Sequence, residues 1–169
     1  MTEPITYRRA TAADILIVCE LGQVLNRVHH HARPDFYIEA TSNFARDEAH
    51  RLPVLQASNR ATFLAEERGT AVGFITVQVM QPHSPRARPL ICCRINSVAV
   101  RKEQQGRGIG RMLMRLAESW GIEQGVTDIR LAVWTFNESA TRLYEELGYE
   151  VRAVEMGKPL SAEVKSTSQ

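Results

Sequence analysis

Three glycines stand at alternate positions in "QQGRGIGRML", residues 105–114, and they constrain the local fold more than any other feature of the chain. Gly106, Gly108 and Gly110 lie between a run typical of a β-strand and a run typical of a helix. Glycine at a helix start costs about 0.5–1 kcal/mol relative to alanine, so it needs a compensating role. The first N–H groups of a helix lack internal partners, and the helix dipole makes that end positive. The segment therefore predicts a phosphate-binding loop, with a flexible turn as the alternative.

Two common phosphate-binding patterns do not fit this loop. The dinucleotide pattern G-x-G-x-x-G needs a glycine where the chain has Arg111 or Leu113, depending on which glycine comes first. The phosphate loop of kinases and ATPases ends in Gly-Lys-Ser/Thr, which is absent here. A nucleotide-dependent kinase is excluded on these grounds, because the lysine and the paired carboxylates that hold magnesium are both missing.

Hydrophobic periodicity and turn residues predict alternating strands and helices. The predicted strands lie at 5–10, within 61–80 as two strands joined at 67–70, at 90–100, at 127–135 and at 149–160. The predicted helices lie at 12–28, at 37–51 with Pro53 ending the second, at 108–124, and between Asn137 and Gly148. Residues 29–36 and the proline-rich stretch 82–89 are predicted as loops. The order predicts an α+β (mixed α/β) fold with a mixed sheet, in which strand 127–135 runs parallel to strand 90–100.

The strand at 90–100 changes phase along its length. Ile91, Cys93 and Ile95 are apolar at odd positions, whereas Val98 and Val100 are apolar at even ones. Because side chains alternate with a period of two, the change needs an extra residue, and we expect a β-bulge near 96–97. A bulge leaves main-chain groups free to meet a ligand. A strand buried on both faces is the alternative.

Composition indicates a globular chain without a nucleic-acid or membrane function. The 169 residues carry a net charge of +2, too small to indicate nucleic-acid binding. No apolar stretch approaches the roughly 20 residues of a membrane span, and the first ten residues have no signal-peptide core. Three cysteines are too few and odd in number for a disulfide framework, which favours a reducing, cytoplasmic location. We expect one domain over 1–160 and a flexible polar tail at 161–169.

Two linked motifs resemble the GNAT superfamily of N-acetyltransferases. Gln105-x-x-Gly108-x-Gly110 is similar to that family's acetyl-CoA signature, Gln/Arg-x-x-Gly-x-Gly/Ala. "NESATRLYEELGY", residues 137–149, is similar to its Asn-x-x-Ala-x-x-x-Tyr-x-x-x-Gly-aromatic segment, one helix and one strand further on. The resemblance implies a central, mixed, mostly antiparallel sheet with two splayed parallel central strands and about four helices. It also implies acetyl-CoA as cosubstrate, and makes a homodimer possible.

The resemblance further assigns the cofactor site. Amides of residues 106–111 would bind the pyrophosphate, and main-chain groups of Val98 and Val100 would pair with pantetheine. The implied cofactor-binding residues are Val98, Ala99, Val100, Gln105, Gly106, Arg107, Gly108, Ile109, Gly110, Arg111, Asn137 and Tyr144. Basic side chains around the loop suit several phosphate charges, although an ordinary solvated helix face explains some of them; they are Arg101, Lys102, Arg107, Arg111 and Arg115.

Acetyl transfer by direct attack in a ternary complex needs a neutral amine, a donor for the oxyanion and a proton for the leaving thiolate. The resemblance implies the Val98 amide as the donor and Tyr144 as the catalytic acid, with a core residue as the alternative for Tyr144. The central strand and the next one offer Arg94, Asn96, Ser97 and Ala132, but no carboxylate to act as base. Water ordered by Asn96 or Ser97 is one substitute, and Glu66, Glu67 and His83 are poorer ones. The missing base supports the alternative of a non-catalytic acyl-CoA sensor.

The acceptor amine, a small molecule or a peptide, is not identified by the sequence. The stretch "RVHHHARPDFY", residues 27–37, falls where the family places its acceptor. We expect a loop there that contributes Arg33 and Tyr37, with Asn96 as a further substrate-binding residue; a plain surface loop is the alternative. The three adjacent histidines do not predict a metal site, because adjacent side chains rarely converge on one ion.

Overall fold

Strands and helices follow one another in the predicted order as far as the last helix. The computed structural model describes residues 4–81, 88 and 90–160. The strands are β1 (Thr6–Arg9), β2 (Arg60–Glu67), β3 (Thr70–Met80), β4 (Cys92–Val100) and β5 (Ile129–Arg130). The helices are α1 (Ile15–Ala32), α2 (Ala45–Gln56), α3 (Ile109–Glu123) and α4 (Glu138–Glu146). Most of the proline-rich stretch at 82–89, and the whole tail at 161–169 predicted to be flexible, lie outside the described residues.

The five strands form one mixed sheet in the order β1-β2-β3-β4-β5. Neighbours from β1 to β4 are antiparallel. The β2–β3 hairpin turns at Arg68 and Gly69, whose φ values of 52° and 74° are positive, as tight hairpin turns require. β5 pairs with β4 in parallel, which is possible because α3 carries the chain back between them. The predicted mixed, mostly antiparallel sheet with two parallel strands is confirmed.

Helices cover both faces of the sheet. On one face α3 supplies Ile109, Leu113, Met114, Ala117 and Trp120 to a buried cluster that also contains Tyr144 of α4. The spacing of the α3 residues matches one face of a helix, which is why this helix was predictable. On the other face, α1 contributes Val18 and Leu21 to a second cluster around Phe74.

Two helix boundaries were predicted wrongly. α1 continues through the three histidines to Ala32, and it ends where Pro34 forces Arg33 out of helical geometry, at φ −140° and ψ 68°. α2 begins at Ala45 rather than near 37, and it contains Pro53 instead of ending before it. The segment before α2 is held irregular by contacts with α1, since the Thr41 N–H donates to Gln23 Oε1 (3.0 Å). Pro53 is tolerated because it lies on an exposed side of the helix.

The strand predicted at 149–160 is absent, and this prediction was wrong. Residues 150–160 are exposed and carry no strand. β5 is also shorter than the predicted 127–135, so it offers an edge of only two residues to a further strand. The two parallel strands therefore lie at the end of the described sheet and not in its centre.

Candidate active site

β4 contains the β-bulge that the sequence predicts. In its ladder with β3, Thr76 pairs with Ser97 and Val77 pairs with Ile95, so Asn96 is the extra residue. Asn96 is exposed and Ser97 is half-buried. The bulge thus lies in the middle of β4, and β4 stays paired with β3 before and after it.

The bulge also explains the phase change of the side chains. Cys93 and Ile95 belong to the buried cluster under α3, and beyond the bulge Val98 and Val100 pack against that same cluster. Ala99 points to the opposite face and joins the cluster under α1. The bulge therefore accounts for the change in side-chain alternation, and the alternative of a strand buried on both faces is not needed.

Main-chain hydrogen bonds reverse direction across the bulge. The Cys93 N–H donates to the Asp128 carbonyl, just before β5 (2.9 Å). The Arg101 N–H instead donates to the Val72 carbonyl at the start of β3 (2.8 Å). In a regular strand, the N–H groups of two residues that are an even number of positions apart point to the same side. Counting back from Arg101, the N–H groups of Val100 and Val98 face the β5 side. Pairing with β5 ends at Arg94, so these groups border a gap between the two parallel strands.

The glycines of the loop after β4 have two different functions. Gly106 and Gly108 have φ values of +76° and +78°, and a Cβ added to either would meet nothing within 4 Å. Gly108 immediately precedes α3. Gly110 lies within the first turn of α3, where a Cβ would come 3.3 Å from Leu143 Cδ2. Two glycines thus supply left-handed backbone in open space, and the third lets α4 pack closely.

Six consecutive amides at this loop have no partner within the described part of the chain. They belong to residues 106–111, and the series ends at Met112, whose N–H donates to Gly108 O (3.1 Å). Because Gly106 and Gly108 leave the space around them open, an anion can approach these N–H groups directly. The positive end of the α3 dipole lies at the same place. The donor set and the free space fit a diphosphate group.

Gln105 holds the loop against the end of β4. Its side-chain Nε2 donates to the Val100 carbonyl (3.1 Å), on the strand side that β5 leaves open. This bond links the main-chain edge of β4 to the first glycine of the loop. The glutamine of the motif therefore has a positioning role that its sequence pattern did not reveal.

Most of the basic side chains around the loop are already paired. Arg107 bonds to Glu67 (2.9 Å), and Arg101 bonds to Glu20 (2.7 Å). Arg111 forms an ion pair with Glu146 of α4. Arg107 also lowers the pKa of Glu67. The loop thus presents main-chain amides, more than unpaired cations, to any anion that approaches it. Lys102 and Arg115 have no ion-pair partner within the described segments.

Tyr144 lies in the cluster beneath α3, with 9% of its surface exposed. Burial raises the pKa of its phenol, so the group keeps its proton at neutral pH. Its ring centroid lies 6.0 Å from that of Tyr149. The Tyr149 hydroxyl donates to Glu118 Oε1 (2.9 Å), whereas no described residue bonds to the Tyr144 hydroxyl. Tyr144 is thus a protonated donor with no acceptor among the described residues.

Asn137 caps α4, as its position predicts. Its side-chain Oδ1 accepts a hydrogen bond from the Ala140 N–H (3.3 Å), which satisfies one of the free donors at the start of the helix. This interaction uses the side-chain oxygen. A contact with a cofactor would fall to the amide nitrogen.

Arg33 and Tyr37 belong to an aromatic cluster that the sequence did not predict. The Trp134 indole donates to the Tyr37 hydroxyl (2.7 Å), and Tyr37 stacks on His29 at 4.7 Å. Phe136 stacks on Trp134 at 5.9 Å. Arg33 lies over the Trp134 ring at 5.2 Å, so the structure brings both predicted residues together. The residues missed were His29, Trp134 and Phe136, and the one available signal was the pair of aromatic residues in "WTF" after the predicted strand.

The family model of the acetyltransferase (GNAT) family matches residues 25–149, which include the bulge, the glycine loop and Tyr144. The chain belongs to the GNAT acetyltransferase family. The resemblance inferred from the two motifs is confirmed, and so is the GNAT fold. This protein is similar to the mycothiol acetyltransferase of Thermobispora bispora, at 34% identity over 87 residues, or 52% of this chain and 29% of that protein. The chain spans about a third of the length of the curated relatives it matches.

Solved structures share the fold over nearly the whole GNAT chain. A variant of the BH1408 protein of Bacillus halodurans has a TM-score of 0.82 at 26% identity, covering 92% of this chain and 99% of that one. The aminoglycoside N-acetyltransferase AAC(6')-Iy, solved in complex with CoA, has a TM-score of 0.67 at 17% identity, covering 92% of this chain and 100% of that one. The second likeness concerns the fold alone.

Carboxylates that could serve as a base in this GNAT site are engaged elsewhere. Glu66 pairs with Arg8 (2.8 Å), and Glu67 is held by Arg107. His83, the third weak candidate, lies outside the described residues.

Within the described segments no group of three or more His, Cys, Asp or Glu side chains is arranged to hold a metal ion. None of the described helices is both long and apolar enough to span a membrane.

Proposed function

We propose that this GNAT protein is an N-acetyltransferase that transfers the acetyl group of acetyl-CoA to a primary amine by direct attack in a ternary complex. The observation that carries the proposal is the run of unpartnered amides at residues 106–111, next to the open main-chain edge of β4. A diphosphate and an extended amide chain are the two groups that such an arrangement recognises. Coenzyme A contains both in sequence.

Each part of coenzyme A has residues that would hold it. The amides of Gly106 to Arg111 would bind the diphosphate, with Ile109 contributing its main chain because its side chain is buried. The N–H and carbonyl groups of Val98 and Val100 would pair with the pantetheine amides across the gap. The remaining residues assigned to the cofactor site would lie along the bound coenzyme A; they are Gln105, Arg107, Asn137 and Ala99. Ala99 would act indirectly, because its side chain packs in the cluster under α1 and helps to fix the strand.

The chemistry assigns a separate function to each group. The amine nitrogen bonds to the acetyl carbon, the Val98 N–H stabilises the resulting oxyanion, and the carbon–sulfur bond then breaks. Tyr144 donates its proton to the sulfur as it leaves and regains a proton from solvent. The proton lost by the attacking nitrogen passes to water beside Asn96 and Ser97 at the bulge. Arg33, Tyr37 and Asn96 would contact the acceptor.

A non-catalytic acyl-CoA sensor is the second candidate. The observation that favours it is that Glu66 and Glu67, the two described carboxylates considered as a base, are both paired. The unbonded phenol of Tyr144 favours the enzyme, because a binding protein does not need an acid at that position.

Free, buried Cys19, Cys92 and Cys93 support the expected reducing, cytoplasmic compartment. The homodimer and the single domain over 1–160 stay predictions.

Replacing Tyr144 by phenylalanine tests the proposal, with Tyr149→Phe as the matched control. Both variants lose one phenol oxygen from the same pair of rings, but the Tyr149 hydroxyl is already bonded to Glu118. Acid catalysis contributes about 10²–10⁴-fold, so we expect Tyr144→Phe to lose turnover of that order. We expect its affinity for coenzyme A to stay within about twofold of the original, a free-energy change of under about 0.5 kcal/mol. Turnover of Tyr149→Phe should be nearly unchanged.

The outcomes separate the two candidates. Acetyl-CoA consumption across a panel of amines, combined with calorimetric binding of coenzyme A, provides the measurement. Binding of coenzyme A without turnover of any amine would leave the acyl-CoA sensor as the remaining candidate. Equal turnover in Tyr144→Phe and the unsubstituted protein would remove the acid role, and no heat from coenzyme A or acetyl-CoA would remove both candidates.

A further inference from the structure

The aromatic cluster forms a wall of side chains that contact one another. We define the aromatic wall as Arg33, Phe36, Tyr37, Trp134 and Phe136. Phe36 meets Trp134 edge-on at 5.6 Å and Tyr37 at 5.1 Å, and Arg33 lies 6.0 Å from the Phe36 ring. The wall joins the segment after α1 to the segment after β5. Each ring contacts another, so the wall presents a fixed aromatic surface.

Strand register places the wall near the proposed reacting atoms. Cys93 pairs with Ile129 and Arg94 with Arg130, so the two pairs before the gap have the same offset. Extending that offset along the gap brings Trp134 to within about a residue of the level of Val98. The wall therefore borders the gap where the acetyl carbonyl would lie.

Part of this surface is apolar and exposed. Phe36 is 65% exposed although it contacts two rings of the wall, and Ile38, on the same segment, is 64% exposed. Val133, on the other segment, is 38% exposed. Large apolar side chains exposed together mark a binding surface more often than scattered ones do.

Charges near the wall do not favour a polycation. The acidic residues of segments 33–44 and 131–137 are Asp35 and Glu39. Both carboxylate oxygens of Asp35 are taken by the Arg33 guanidinium, at 2.7 and 2.9 Å. Glu39 is then the single unpaired carboxylate of these two segments. An acceptor with several ammonium groups would find one counter-charge, whereas an aromatic ring would find Phe36 and Ile38.

We propose that the acceptor is a primary amine carried on an aromatic or apolar body, which packs on Phe36 and Ile38 and presents its nitrogen to the gap beside Val98. The inference rests on the proposed acetyl transfer and adds its substrate class. Phe36 and Ile38 then determine specificity beside the acceptor contacts of Arg33 and Tyr37, and Trp134 holds the Phe36 ring in place.

The test compares two classes of amine on the full chain. Acetyl-CoA consumption is followed with 2-phenylethylamine and tryptamine, and with spermidine and kanamycin as polycations. We expect the arylalkyl amines to have kcat/KM at least about tenfold higher. Phe36→Ala removes the ring on which the aromatic body would pack, so it should raise the KM for 2-phenylethylamine about two- to tenfold with little change in kcat.

A matched control separates recognition from a general loss of apolar surface. Ile122 on α3 is 72% exposed and lies on the other face of the sheet, so Ile122→Ala should leave both parameters unchanged. Ile38→Ala should raise KM in the same direction as Phe36→Ala. Equal KM values in Phe36→Ala and Ile122→Ala would overturn the inference.

Failure of the inference and failure of the proposed function give different results. Turnover with spermidine or kanamycin but not with the arylalkyl amines would leave acetyl transfer intact and refute the acceptor class. If no amine is turned over, calorimetric binding of 2-phenylethylamine still tests the wall. Binding that weakens in Phe36→Ala would support the surface, and the absence of binding to the unsubstituted protein would refute it.

Discussion

Replacing Gly108 by alanine separates the conformational role of this glycine from its proposed role in anion binding. Gly108 has φ +78°, and an added Cβ would meet nothing within 4 Å, so the substitution adds strain without a clash. A side chain held in the left-handed region costs about 1–2 kcal/mol. The reduced freedom of the unfolded chain returns about 0.4–1 kcal/mol. The net loss of folding stability should be about 0.5–1.5 kcal/mol, a few degrees in Tm.

Gly125 provides the matched control at the other end of α3. Its φ is +77°, and an added Cβ would also meet nothing within 4 Å, so Gly125→Ala should lose the same stability. Only Gly108 lies among the unpartnered amides, where a methyl group occupies space that a phosphate oxygen would take. Coenzyme A should bind Gly108→Ala at least about tenfold more weakly, or about 1.4 kcal/mol. It should bind Gly125→Ala normally.

Urea unfolding and calorimetric titration measure the two quantities independently. Equal affinity of both variants for coenzyme A would show that the anion does not approach the backbone at Gly108. A stability loss in Gly108→Ala well above that in Gly125→Ala would show that left-handed strain alone does not describe this position. Either result would refute the account of the glycine loop.

Two further predictions concern the pH dependence of stability and the attachment of the loop. The Arg8 guanidinium lowers the pKa of Asp14 from 3.8 to about 2. Because the folded pKa is depressed, this contribution is complete above about pH 4 and is lost as the pH falls toward 2. We expect about 1–2 kcal/mol after allowance for solvent screening, visible in thermal melts and absent from Asp14→Asn. Gln105→Ala removes the bond to the Val100 carbonyl, so stability should fall by up to about 1 kcal/mol in urea titrations. Coenzyme A should also dissociate faster in stopped-flow experiments, and unchanged rates would show that Gln105 does not position the loop.

Local sequence patterns predicted the elements that position the site. The apolar face of α3 repeats with helical spacing, and the phase change between Ile95 and Val98 located the bulge at Asn96. Gly106, Gly108 and Gly110 indicated a specialised loop before a helix, and the structure adds that Gly106 and Gly108 have positive φ. These features depend on residues close together in the chain, so a short window of sequence contains the information that fixes them.

Tertiary contacts decided the features that sequence reasoning missed. The last turn of α1 is helical because His29 stacks on Tyr37 and His30 Nδ1 contacts the Tyr37 carbonyl at 2.7 Å. Three adjacent histidines before a proline resemble a loop when these partners are unknown. Residues 149–160 alternate like a strand, yet a strand needs a partner edge, and β5 offers two residues.

The sequence by itself determined a strand with a bulge, a glycine loop and the helix behind it, and the resemblance of its two motifs to the GNAT family supplied the expectation of coenzyme A. Only the tertiary structure decided that Gln105 fixes the loop to Val100, that arginines around the loop are paired, and that the segment after α1 meets Trp134. Tyr37 and Trp134 are 97 positions apart. No local pattern specifies such a contact, because it exists only after the sheet has set the distance between the two segments.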